Sequence, residues 1–86
     1  MKEIKLFIMG TCPHCRRAAE MMEEIFAGHP EYKSISLKVI DETKEPDYAS
    51  EFDYYHVPAF YVGNDKLHEG VPTKESIEKV FEAALS

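Results

Sequence analysis

Cys12 and Cys15 are the only cysteines of this chain, and just two residues, Pro13 and His14, separate them. An apolar run precedes the pair and a stretch with helical spacing follows it. On the first turn of a helix this spacing brings both sulfurs to one end, where they can bridge. Unpaired N–H groups and the helix dipole there favour a thiolate on Cys12. The thiolate is the form that attacks a disulfide. His14, when protonated, and Arg16 with Arg17 in the same turn should add attraction. Pro13 stiffens the turn without donating an N–H. Cys15 lies a turn deeper on the apolar face, where burial raises a thiol. Cys12 is therefore expected to attack and Cys15 to resolve the resulting mixed disulfide, the roles of a thiol–disulfide oxidoreductase.

Other readings of the pair need more than the chain offers. A Cys-x-x-Cys is half of a structural zinc site, but no second pair exists and His29, His56 and His68 lack the paired-histidine spacing. No metal ligands are expected, although iron–sulfur carriage would use the same cysteines. Two buried small hydrophobes would be the bland alternative. Val57-Pro58 is a second chemical feature, with Tyr54, Tyr55 and His56 just before it. These side chains either join the core or line a substrate groove beside Cys12, and a non-catalytic binding module could use the same groove.

Periodicity outlines the elements that must hold the pair. Glu3 to Met9 alternates Ile4, Leu6 and Ile8 with Lys5, Phe7 and Met9, which predicts a strand covered on both faces. Cys15, Ala18, Ala19, Met22, Ile25 and Phe26 repeat at helical spacing from Pro13 to about Ala27. Pro13 suits the first turn, and Gly28-His29-Pro30 supplies the stop. Ser34 to Ile40 alternates through Ile35, Leu37 and Val39 as a second strand, parallel to the first through a right-handed crossover. Pro46 opens a short helix with Tyr48, Ala49 and Phe52 on one side. Ala59 to Val62 and Lys66 to Glu69 read as a hairpin around Gly63-Asn64-Asp65. Thr73 is the expected N-cap of a last helix whose Ile77, Val80, Phe81, Ala84 and Leu85 share a face. The order is β-α-β-α-β-β-α, an α/β domain over residues 1–86.

The net charge of −6, with no basic block, argues against nucleic acid as a partner. No apolar run approaches a membrane span, and the N-terminal one is interrupted by Lys5 with no small-residue cleavage site before the dithiol. A cytoplasmic monomer is the expectation. In such a reducing setting a lone cysteine pair serves chemistry rather than stapling.

The segment Phe7 to Ala18 resembles the active site of the thioredoxin and glutaredoxin superfamily, with His14 where glutaredoxins carry tyrosine. Val57-Pro58 is similar to the superfamily's cis-proline segment. Lys66 to Leu85, with Gly70 before the last helix, resembles the end of thioredoxin. The resemblance runs through almost the whole chain. It implies the thioredoxin fold: a four-stranded mixed sheet in order 2-1-3-4, with the dithiol helix and the last helix on one face and the middle helix on the other. It implies reduction of protein or small-molecule disulfides without a bound cofactor, the electrons coming from glutathione or a flavoprotein thioredoxin reductase. Thr11, Tyr55, Val57, Pro58 and Gly70 become the expected substrate-binding residues. Thr11 stands where thioredoxin has tryptophan. Gly70-Val71-Pro72-Thr73-Lys74 has one glycine and no aspartate where glutaredoxins hold glutathione. Pro13-His14 resembles the dipeptide of periplasmic thiol oxidases, which implies a potential above thioredoxin's value of about −270 mV.

Overall fold

Four strands and three helices alternate in a computed structural model that covers residues 1–86. In chain order they are β1 (Ile4–Ile8), α1 (Pro13–Gly28), β2 (Leu37–Asp41), α2 (Pro46–Ala49), β3 (Ala59–Val62), β4 (Asp65–Glu69) and α3 (Lys74–Leu85). The sheet order is β2-β1-β3-β4, with β1 and β2 parallel and the other pairs antiparallel. This is the thioredoxin fold that the sequence implies. A radius of gyration of 12.0 Å is what a chain of this length reaches when packed around one sheet.

β1 is central and carries apolar side chains to both faces, because helices cover both. Ile4 and Leu6 enter the larger core with Ala18, Met22 and Ile25 of α1 and Ile77, Val80 and Phe81 of α3. Phe7 enters a second core on the α2 side with Ile40, Ala49, Ala59 and Tyr61. Phe26 of α1 meets Phe81 of α3 edge-on, with ring centroids 5.3 Å apart. Thr73 caps α3 as expected: its hydroxyl accepts the Ser76 N–H at 3.0 Å, and the Ser76 hydroxyl accepts the Thr73 N–H at 3.1 Å.

Several boundaries and faces differ from the periodicity reading. Residues Pro30–Ser34 form a 3-10 turn, so β2 starts at Leu37 and Ile35 reaches the larger core from outside the strand. Within β2, Ile40 is buried while Val39 is exposed, because β2 is an edge strand. Gly28 ends α1 without positive φ; the His29 N–H instead bonds the Ile25 carbonyl at 2.8 Å and Pro30 follows. Ala19 and Leu85 lie at the solvent edge of their helices and are exposed. α2 stops at Ala49, and Phe52 packs on the second core from beyond it. β4 begins at Asp65, leaving a two-residue turn, Gly63-Asn64.

Candidate active site

β1 delivers the chain to the dithiol through a turn in which Gly10 has φ +53°, a conformation that favours glycine. Asp41, at the end of the neighbouring β2, accepts the Gly10 N–H at 3.3 Å and also the Thr43 hydroxyl at 2.6 Å. Those Thr43 bonds hold the Asp41 carboxyl below its usual range, so the turn is tied to an anion. Cys12 is the N-cap of α1, with Pro13 at the first helical position. Its carbonyl accepts the Arg16 N–H at 3.0 Å, and its own N–H bonds the Met9 carbonyl at 3.2 Å.

The two thiols differ in environment. Cys12 is half-buried, whereas Cys15 retains 6% of its surface. A hydrogen bond from the Cys15 thiol, followed by the N–H groups of Cys15 and His14, holds Cys12 below the ordinary thiol range against some desolvation. Burial pushes Cys15 up to about 11; Cys12 and the charge of Glu42 add to this, while the Met9 backbone opposes it. The stabilisation of Cys12 is thus mainly hydrogen bonding at the helix end. Arg16 and Arg17 are exposed, where salt screens their charge.

Beside the dithiol lies a groove of about 470 Å³ lined by Met9, His14, Tyr55, His56, Val57, Gly70 and Val71. Val57-Pro58 is a cis peptide and Pro58 is buried at the base of β3. Gly70, with φ +89°, donates its N–H to the Pro58 carbonyl at 3.1 Å. His14, Tyr55, Val57 and Gly70, of the residues singled out in the sequence, come together in this lining. Thr11 and Arg16 lie at the dithiol turn outside this lining. The adjacent tyrosines divide: Tyr55 is 83% exposed on the groove, while Tyr54 packs on Phe7 with ring centroids 4.9 Å apart. His14 Nδ1 is buried and has no hydrogen-bond partner. No group of three or more His, Cys, Asp or Glu residues is arranged to hold a metal ion.

Two carboxylates near this site escape sequence reasoning. Burial raises the Tyr54 phenol, and Glu42, which accepts the Tyr54 hydroxyl at 2.8 Å, adds to this. Glu69 accepts the N–H groups of Tyr55 and His56 at 2.8 and 3.0 Å. Neither sits in a motif.

A protein similar over nearly its full length is a thioredoxin from Methanocaldococcus jannaschii, 29% identical over 83 residues that cover 96% of this chain and 95% of that one. Among solved structures, oxidised thioredoxin from Plasmodium falciparum superposes with a TM-score of 0.70 at 17% identity, covering 96% of this chain and 80% of that one. Oxidised thioredoxin O2 from Arabidopsis thaliana gives 0.60 at 17% identity, with 100% and 76% covered. The sequence model of the thioredoxin domain matches residues 2–82, spanning both cysteines, the cis-proline and most of α3. The chain belongs to the thioredoxin domain family, a membership that supports thiol–disulfide oxidoreductase activity in general terms.

Proposed function

We propose that the protein reduces disulfides in other proteins, with Cys12 as nucleophile and Cys15 as resolving thiol. The observation that carries this reading is the split between the two sulfurs: one accessible and held toward its anion, the other buried and held protonated. The Cys12 thiolate attacks one sulfur of a substrate disulfide, forms a mixed disulfide and expels a thiolate. Cys15 then passes its proton to the first expelled thiolate and attacks the Cys12 sulfur; the second thiolate leaves and takes its proton from water. The substrate leaves reduced by two electrons and the Cys12–Cys15 disulfide remains. A donor dithiol restores it.

Met9, Tyr55 and Val71 are 47%, 83% and 59% exposed around the groove, so it offers apolar surface to an extended protein segment. The lining contains neither lysine nor arginine, and the carboxylates of glutathione find no fixed cation there. The likeness to thioredoxin supports a flavoprotein reductase as electron donor and a reducing compartment such as the cytoplasm as the setting. The same surface suits disulfide-bearing proteins as partners. No helix is long and apolar enough to cross a membrane. His14, two residues after Cys12, keeps a buried ring nitrogen without a hydrogen-bond partner.

Insulin reduction followed by turbidity tests the reading, with dithiothreitol, glutathione or a flavoprotein reductase as donor. The protein should accelerate precipitation with dithiothreitol and respond less to glutathione. Cys12→Ser should abolish the effect. No acceleration with any donor would overturn the proposal.

A further inference from the structure

Lys66 and Glu69 are three residues apart, so an unbroken strand would point them to opposite faces. β4 is not unbroken. Its register with β3 shifts between Phe60 and Tyr61: Phe60 faces His68, whereas Tyr61 faces Lys66. Leu67 is the extra residue, and a bulge of this kind returns Lys66 and Glu69 to one side. Lys66 Nζ donates to Glu69 Oε1 at 2.6 Å, and Glu69 stands opposite Ala59, one residue past the cis-proline. From that position Glu69 Oε2 accepts the Tyr55 N–H at 2.8 Å and the His56 N–H at 3.0 Å. These bonds to Lys66, Tyr55 and His56 lower the Glu69 carboxyl to about 2, so it is ionised throughout the working pH range. Pro58 has no N–H, and the Val57 N–H has no partner within the chain. Val57 is thus the one free backbone donor from Tyr55 to Pro58.

We propose that Glu69 is a positioning residue for disulfide substrates: it occupies the Tyr55 and His56 N–H groups and leaves the Val57 N–H as the single donor of the groove loop. This rests on the oxidoreductase reading of the dithiol. An extended peptide that pairs with a backbone edge takes its register from the donors it finds. Within that loop, one free donor gives the substrate cysteine one register opposite Cys12. With three, shifted registers compete and the scissile sulfur spends less time in line. The carboxylate therefore acts on substrate placement and not on the thiolate.

The test compares wild type, Glu69→Ala and Glu69→Gln, the last retaining an acceptor oxygen. Amide exchange by NMR should show Tyr55 and His56 protected in the wild type and exposed in Glu69→Ala. For insulin reduction, Glu69→Ala should lower kcat/KM about tenfold, mainly through KM, and Glu69→Gln should recover part of the loss. The rate of Cys12 alkylation by iodoacetamide, which needs no register, should stay unchanged in both. Unprotected amides in the wild type, an unaltered kcat/KM, or alkylation falling in step with insulin reduction would each overturn the assignment. Wild type that alkylates at Cys12 yet reduces no insulin would sink the oxidoreductase reading, and the exchange data would still decide whether Glu69 holds the loop. Should Glu69→Ala fail to fold, Glu69→Gln with the same two readouts carries the comparison.

Discussion

Cys12 and Cys15 carry opposite protonation preferences, and each has a consequence in solution. Iodoacetamide at about pH 7 should label Cys12 alone, with a rate that rises through a value below the ordinary thiol range and then levels off. Preferential labelling of Cys15 would reverse the roles. Cys15→Ser should accumulate a covalent complex with a substrate disulfide, visible on a non-reducing gel, because nothing remains to displace it. The linkage signs differ. Cys12 is depressed, so its contribution to the reduced fold is present above the usual thiol value and fades as pH falls through its folded value. Cys15 is raised to about 11, so its contribution is present below the usual thiol value and is lost as pH climbs toward that figure. Urea unfolding of reduced protein on the alkaline side should show a decline from Cys15 that Cys15→Ser removes.

The helix that holds the dithiol depends on elements distant from it in sequence. Phe7 is fully buried and packs against Phe52, Tyr54 and Tyr61 at centroid distances of 4.7, 4.9 and 5.7 Å. Phe7→Ala should cost about 3–5 kcal/mol in urea unfolding and should also slow insulin reduction, since Tyr54 leads into the groove loop. Thr73→Ala removes the capping box of α3 and should cost about 1 kcal/mol with the dithiol chemistry intact. Elements with one covered face were legible from periodicity: Ala18, Met22 and Ile25 on α1, and Ile77, Val80, Phe81 and Ala84 on α3, are buried at the expected spacing. β2 was not. Alternation favoured Val39, yet position at the sheet edge exposes it and buries Ile40 against Phe7.

For the molecule as a whole, a stabilised Cys12 thiolate favours the reduced state, so equilibration against glutathione buffers should give a potential above about −270 mV. A value at or below it would mean that the thiolate is not held as described. The dithiol, the capped last helix and the strand–helix–strand order could be read from the chain alone, because each depends on residues within a few turns of one another. Position in space decided the rest. The Tyr54–Glu42 bond spans 12 residues and the Glu69–Tyr55 bond 14, and the second exists because a bulge in β4 rotates one carboxylate onto the loop before Pro58. A pattern of residue types carries local periodicity, but the register between separate strands is settled only when they pair.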